Sequence, residues 1–279
     1  MLPRSRYPAL LATLAVCAAS TLSCKAHRTG VADARVLHIT TSDYAFDAPA
    51  QLESGLVSIE LFNRGPNLHE AQLLKLGAGK TLKDFSDSLG LPGTNSWVTS
   101  AGGVGALLAG DSARITEILE PGNYIIVCGV PDSSGKPHMM RGMVRSLTVL
   151  PSTVRNGVEG FSYDETLALN EFAFTQTPAF TSGHHVIRVT NNGTMSHSAV
   201  LIRLDSGVTT MQALKSGNNQ GGSPPFHTLG GVAALAAGAD AFLPVDFTPG
   251  RYSLICFETD AHDGKPHLAK GMIKEFTIT

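Results

Sequence analysis

Hydrophobic and polar positions alternate along this chain in short segments, the pattern of strands with one buried face. Partial alternation and strand composition mark residues 36–40, 56–62, 124–128 and 147–149, and the second half of the chain repeats the scheme. Helical spacing occurs in two short stretches, at Leu82, Phe85 and Leu89 and again at Met211 and Leu214. The pattern predicts an all-β protein with small helices that cross the end of a sandwich.

The two halves are copies of each other at an offset of 128 residues. We call residues at this offset counterparts. The matches include Tyr44-Ala45-Phe46 with Phe172-Ala173-Phe174, Asn63 with Asn191, His69 with His197, Gly102-Gly103-Val104 with Gly230-Gly231-Val232, Tyr124 with Tyr252, and Cys128 with Cys256. After the cysteine the register slips by one, so that His138 matches His267 and Met143 matches Met272. We expect the Gly-Gly-Val segments to form tight turns and the tyrosines to be core or corner residues.

The length of 279 residues, of which 43% are apolar and 16% charged, is enough for two ordinary cores. The duplication therefore predicts two tandem domains, residues 36–150 and 158–279, joined by a short linker at 151–157. The formal net charge of -2 and the lack of a basic cluster argue against nucleic-acid binding.

The first 24 residues have the features of a bacterial export segment. Arg4 and Arg6 precede an apolar run that is too short to span a bilayer comfortably, and small residues lead to Cys24. We expect a location in the periplasm or cell envelope. The segment that ends at Cys24 resembles a lipobox imperfectly, which leaves two forms open, a soluble secreted protein and one attached to the membrane through a lipidated Cys24.

Each repeat ends in one chemically distinctive pattern, Pro-Gly-x-Tyr-x-x-x-Cys, a polar loop, and Pro-His-x-x-x-Gly-Met. Cys128 and Cys256 each stand alone in their repeat, which does not suit a disulfide framework. A buried cysteine that acts only as a small hydrophobe is the alternative for either of them.

These motifs resemble the copper loop of cupredoxins, the plastocyanin- and azurin-like blue copper family. The Asn-containing turns before His69 and His197 resemble the turn that precedes the first copper ligand in that family. The resemblance covers residues 36 to 279 and implies two Greek-key sandwiches, each with one copper ion. It implies the ligands His69, Cys128, His138 and Met143 in the first repeat, and His197, Cys256, His267 and Met272 in the second.

One feature departs from the family pattern. Nine residues separate Cys128 from His138, and ten separate Cys256 from His267, where familiar blue copper proteins have only a few. We expect these residues to form polar hairpins that return each Pro-His to the same place. The alternatives are a distorted copper centre, a site for another metal, or an empty site.

The resemblance predicts electron transfer with a redox partner protein that the sequence does not identify. Copper delivery stays open because Met139 and Met140 adjoin the first site, and a metal-free binding module is a further alternative. A two-domain copper oxidase or nitrite reductase is disfavoured, because neither cysteine has a neighbouring histidine to link it to a second copper. A hydrolase is disfavoured as well, because the chain lacks a Gly-x-Ser-x-Gly motif.

Overall fold

The computed structural model describes residues 34–91, 96–153, 161–217 and 223–279. The strands of the first repeat are β1 (Arg35–Ser42), β2 (Ala45–Asp47), β3 (Gln51–Glu53), β4 (Gly55–Asn63), β5 (His69–Leu76), β6 (Val98–Leu107), β7 (Ser112–Leu119), β8 (Gly122–Val127) and β9 (Val144–Leu150). Those of the second are β10 (Glu165–Asn170), β11 (Ala173–Thr177), β12 (Gly183–Asn191), β13 (His197–Leu204), β14 (Phe226–Leu235), β15 (Asp240–Phe247), β16 (Gly250–Ile255) and β17 (Ile273–Ile278). The helices are α1 (Leu82–Ser88) and α2 (Thr210–Gly217), with short 3₁₀ helices at His138–Arg141 and His267–Lys270.

The predicted all-β class is confirmed, because each repeat forms a two-layer Greek-key sandwich. One layer of the first repeat contains β2, β1, β4 and β7, and the other contains β6, β5, β8, β9 and β3. The second repeat follows the same scheme. The predicted export segment, including Cys24, lies outside the described residues, as do residues 154–157 of the predicted linker. Among the described residues, no helix is long and apolar enough to cross a membrane.

Both sheets continue from one repeat into the other. β7 pairs with β15 in an eight-stranded sheet, and β6 pairs with β14 in a nine-stranded sheet. In the second pairing Val104 faces Val232, its own counterpart, so the two repeats meet about an approximate two-fold axis. The backbones approach closely there, since a Cβ at Gly105 would lie 2.4 Å from the Gly230 carbonyl oxygen. One continuous apolar core contains side chains from both repeats.

The two predicted helices are present, but they cover the outer face of the nine-stranded sheet instead of crossing the end of a sandwich. Phe85 of α1 packs on Ile125 and Val127, and Ala213 of α2 packs on Val200 and the strands beside it. Helix α1 therefore shields Ile125 and Val127, the outward side chains of β8, while Ile126 faces the core. Covering both faces explains why this strand reads as a continuous apolar run.

The expectation that the Gly-Gly-Val segments form tight turns was wrong, because they lie inside β6 and β14. Gly102 has φ of +80° and Gly103 has φ of +108°, a region that favours glycine. A Cβ at Gly102 would lie 1.8 Å from Glu117, and one at Gly103 would lie 2.0 Å from the Ala71 carbonyl oxygen. The glycines thus permit an irregular, very close pairing in mid-strand, where the register with β5 shifts.

The two tyrosines are corner residues, as expected. The Tyr124 hydroxyl donates to the Glu120 carbonyl oxygen at 2.9 Å, and the Tyr252 hydroxyl donates to the Thr248 carbonyl oxygen at 2.8 Å. Both rings are buried in the core. Each tyrosine therefore ties the turn before the strand that leads to the cysteine to the body of its sandwich.

Glu117 is a buried carboxyl group near the junction of the repeats, and we expect it to make stability depend on pH. The side chain is 2% exposed, and burial holds its pKa well above its usual range. A raised folded-state pKa means that the stabilisation is complete at acidic pH and is lost as pH rises through that pKa. The free energy of unfolding of the parent protein should therefore fall between pH 5 and pH 8 relative to that of Glu117→Gln, by on the order of 1–3 kcal/mol.

The measurement is urea unfolding of the metal-free protein at both pH values. Glu120→Gln is the matched control, because Glu120 is an exposed carboxylate on the same segment. The same pH dependence in the parent and in Glu117→Gln would contradict the assignment.

Candidate metal centres

The first cluster brings together His69, Cys128 and His138. His69 begins β5, Cys128 follows β8 directly, and His138 begins a 3₁₀ helix. The Cys128 Sγ atom lies 3.9 Å from His69 Nδ1 and 3.5 Å from His138 Nδ1, and the two Nδ1 atoms are 3.2 Å apart. All three side chains are buried. Residues far apart in sequence thus present one sulfur and two ring nitrogens to a single point.

The second cluster repeats this arrangement with His197, Cys256 and His267. The Cys256 Sγ atom lies 3.9 Å from His197 Nδ1 and 3.4 Å from His267 Nδ1, and the two Nδ1 atoms are 3.0 Å apart. These side chains are also buried, and both cysteines are free thiols. The two repeats therefore build the same donor set independently.

The two methionines of the motif lie beside these clusters in the core. Met143 and Met272 are fully buried. The Met143 amide donates to the His138 carbonyl oxygen at 3.1 Å, and its carbonyl oxygen accepts from the Cys128 amide at 3.4 Å. Met272 makes the same two bonds with His267 and Cys256. The backbone thus places each methionine next to the cysteine and the second histidine.

The long loops between cysteine and second histidine are hairpins, as expected. In the first, Pro131 bridges to Pro137, and the Asp132 side chain accepts from the amides of Ser134 and Lys136. The His138 amide then donates to the Val130 carbonyl oxygen at 2.9 Å. The second loop has the corresponding bridge between Thr259 and Pro266. The added residues therefore project from the sandwich and bring the histidine back beside the cysteine.

The Asn-containing turns hold the first histidine of each cluster. The Asn63 side chain donates to the carbonyl oxygens of Asn67 and Leu107, and it accepts from the Gly65 amide. Asn191 makes the corresponding bonds in the second repeat. The buried side-chain amide of each asparagine bonds to backbone groups that have no strand partner where the chain leaves the strand. These bonds hold the start of the next strand, and with it the histidine, in place.

Three features around the clusters were missed from the sequence. Tyr44 and Phe172 have positive φ values of 61° and 59°, and their rings meet the edges of His138 and His267. Asp43 Oδ1 lies 2.9 Å from His69 Nε2. The Ser198 amide donates to Cys256 Sγ at 3.3 Å. The match of Tyr44 with Phe172 in the repeat already indicated the aromatic contact, whereas the polar contacts form between segments that only the fold brings together.

Burial sets the protonation of these groups. It raises the pKa of the Cys128 thiol to about 12 and that of Cys256 to about 11. It lowers the pKa of His138, His197 and His267. Near neutral pH the metal-free clusters therefore hold protonated thiols, and burial favours the neutral form of these three imidazoles, so a bound metal ion has to displace the thiol proton.

The geometry fits a trigonal metal ion. Ligand atoms about 2.0–2.3 Å from an ion in a trigonal plane lie about 3.5–3.8 Å apart, and the observed separations span 3.0–3.9 Å. Two imidazoles and a thiolate with a thioether nearby form the donor set of blue copper sites. The sandwich topology and the donor positions decide the assignment. The fold is cupredoxin-like.

Comparison with solved structures finds cupredoxin-like proteins at low similarity. Auracyanin from Roseiflexus castenholzii is 22% identical over 42% of this chain and 98% of its own, with a TM-score of 0.30. A blue copper oxidase from Nitrosomonas europaea is 16% identical over 88% of this chain and 86% of its own, with a TM-score of 0.26. A copper nitrite reductase from the same organism is 15% identical over 88% of this chain and 93% of its own, with a TM-score of 0.24.

No protein-family model matches the chain, and no curated protein matches it. The solved structures to which the chain is similar include auracyanins, copper oxidases and copper nitrite reductases. The strand order and the two donor clusters of the chain itself support the fold and a fit to copper.

Gly65→Ala is expected to weaken metal binding in the first cluster alone. A Cβ at Gly65 would lie 2.7 Å from His69 Nε2 and 2.8 Å from Asp43 Oδ1, so the histidine has to move. We expect at least about a tenfold loss of copper affinity, the effect of disturbing a group that orients a ligand. Equilibrium dialysis measures it in a Cys256→Ser background. Gly79→Ala has open space around its Cβ and serves as control, and unchanged affinity in Gly65→Ala would refute the steric explanation.

Proposed function

We propose that this chain is an exported copper protein that transfers electrons through two type 1-like mononuclear sites. The ligands of the first would be His69, Cys128, His138 and Met143, and those of the second His197, Cys256, His267 and Met272. The supporting observation is that two Nδ1 atoms and one sulfur converge twice in one chain, in buried positions, at separations suited to a metal ion.

Copper in such a donor set shuttles between two oxidation states. The chain supports this by holding the donors in place before the metal arrives. Asn63 orders the turn before His69, the hairpin returns His138, and the aromatic ring of Tyr44 lies against His138. A rigid donor set changes little between oxidation states, which favours fast electron transfer. The buried ligands also favour retention of the ion over its delivery to another protein.

Titration with Cu(II) tests the proposal on the chain from Lys25 onward. We expect an intense thiolate-to-copper absorption band that saturates at two equivalents. Cys128→Ser and Cys256→Ser should each remove one equivalent, and the double substitution should remove the band, because the thiolate is the source of the absorption. No band and no tight copper in any form would refute the proposal. Zinc bound in preference to copper would indicate a structural site instead.

Substitution of two neighbouring methionines, Met143 and Met140, tests which of them is the axial ligand of the first site. Met143 is fully buried beside Cys128, whereas Met140 is 39% exposed. In a Cys256→Ser background, Met143→Leu should shift the absorption spectrum and the reduction potential, because the axial thioether tunes both. Met140→Leu should leave them unchanged. The reverse result would transfer the axial role to Met140.

Two alternatives have distinct outcomes. Rapid loss of Cu(I) to a chelator from the loaded protein would favour copper delivery. Consumption of nitrite or oxygen by the copper-loaded protein at rates that Cys128→Ser and Cys256→Ser abolish would favour an enzyme. For electron transfer we expect retained metal, reversible reduction and no turnover of either molecule.

We also propose that the protein reaches the cell envelope and is attached to the membrane through Cys24. The basic start, short apolar run and terminal cysteine of residues 1–24 support this. Membrane fractionation of the parent protein and of Cys24→Ser provides the test. A parent protein already in the soluble fraction would indicate a cleaved export segment without a lipid.

A further inference from the structure

The two cysteine sulfur atoms have different neighbours. The Glu70 amide donates to Cys128 and the Ser198 amide donates to Cys256 Sγ at 3.3 Å, but in the second site the Ser198 hydroxyl also approaches Cys256 Sγ, at 3.7 Å. The counterpart of Ser198 is Glu70, whose carboxyl oxygen accepts from the Gly129 amide at 2.9 Å. An extra donor to the thiolate withdraws negative charge from a bound metal and favours its reduced form. Only the second site has a side-chain hydroxyl in this position.

The first histidine of each site differs in the same direction. His69 Nε2 lies 2.9 Å from Asp43 Oδ1, which makes the imidazole a stronger donor and favours the oxidised metal. The counterpart of Asp43 is Glu171, but its carboxylate accepts from the amide and hydroxyl of Thr194. Within the described residues, the buried His197 Nε2 atom has no hydrogen-bond partner.

The pairing of β6 with β14, which we call the seam between the repeats, connects the two sites. Gln72 lies three residues after His69, and its side chain crosses to β14, where Ala234 donates its amide to Gln72 Oε1 at 2.6 Å. Leu235, the next residue, pairs with His197. A short route of backbone and one hydrogen bond therefore runs from the first histidine of one site to that of the other.

We propose that copper in the second site is reduced more readily than copper in the first, so that an electron entering the first site moves to the second. This inference rests on the proposed function. The transfer oxidises Cu(I) in the first site to Cu(II) and reduces Cu(II) in the second to Cu(I), so the electron count balances within the chain. Ser198 and Asp43 are positioning residues that act through the ligands Cys256 and His69.

Reduction potentials of the separated sites provide the test. The Cys256→Ser protein retains the first site, and the Cys128→Ser protein retains the second. At a common applied potential we expect the ratio of reduced to oxidised copper to be at least tenfold higher in the second site, about 59 mV for one electron. After addition of one reducing equivalent to the two-copper protein, the remaining Cu(II) electron paramagnetic resonance signal should match that of the first site.

Substitutions of Ser198 and of Asp43 test separately how each residue affects the ratio of reduced to oxidised copper. Ser198→Ala should lower the reduced-to-oxidised ratio of the second site, and Ser198→Thr should restore it. Asp43→Asn should raise the ratio of the first site. Glu171→Gln is the matched control and should change little, because Glu171 is engaged by Thr194. Equal ratios in two loaded sites, or a higher ratio in the first, would overturn the inference while leaving copper binding intact, whereas failure to bind copper would overturn the proposed function itself.

Discussion

Gly103→Ala is expected to destabilise the metal-free protein by about 3–5 kcal/mol, the range of severe core substitutions. Two costs add at this position. A side chain at φ of +108° is strained, and the new Cβ would lie 2.0 Å from the Ala71 carbonyl oxygen, a backbone atom of the paired strand. Because β6 pairs with β14 and so joins the two repeats in the nine-stranded sheet, the substitution should also weaken the pairing between the repeats.

The matched control is Gly110→Ala, which isolates the backbone strain. Gly110 has φ of +84°, and nothing lies within 4 Å of the position of a Cβ there. We expect this variant to lose only about 1 kcal/mol. Urea unfolding of both variants without metal provides the comparison, and circular dichroism shows whether Gly103→Ala folds at all. Similar losses in the two variants would show that the close pairing with Ala71 contributes little.

Copper affinity is expected to rise about 100-fold per site between pH 6 and pH 8. Burial raises the pKa of Cys128 to about 12 and that of Cys256 to about 11, so both thiols are protonated over this range without metal. The metal-bound form is the thiolate, so each ion has to release one proton. Affinity therefore rises tenfold for each unit of pH, and this slope should persist until the thiol itself ionises.

Proton release is measured by calorimetric titration in buffers that differ in ionisation enthalpy. The parent protein should release one proton per copper ion, and each Cys→Ser variant should lose the contribution of one site. The lowered pKa of His138, His197 and His267 keeps these rings neutral and limits their own contribution. Binding that is independent of pH would mean that the thiolate is already present in the metal-free protein.

The class of fold, the candidate ligands and the loop hairpins could be predicted from the internal repeat and from local residue patterns. Strand alternation indicated the class of fold, and the resemblance of the repeated motifs to a cupredoxin copper loop pointed to His69, Cys128 and His138, which the structure brings within 3.9 Å of one another. The loop hairpins were also predicted, because Pro, Asp and Gly residues favour turns. Whether metal binds to these donors stays a prediction.

The rest depended on contacts that no local pattern encodes. A strand's alternation tells which face is buried but not which edge it pairs with, so the joining of β6 to β14 was not foreseen. The same limit misled the expectation for Gly102 and Gly103, since glycine pairs occur both in turns and in irregular strands. Asp43 reaches His69 only because the turn after β1 brings two segments 26 residues apart together, and no local pattern predicts that path.

The approximate two-fold seam has a consequence for how the two halves can differ. Contacts in which a residue faces its own counterpart, as Val104 faces Val232, are those of a symmetric dimer of identical chains. In such a dimer one codon specifies both halves, and any substitution beside one metal cluster is copied beside the other. Joining the copies in a single polypeptide removes that constraint. A dimer of identical chains could not have the differences between Gln72 and its counterpart Val200, between Asp43 and Glu171, or between Glu70 and Ser198.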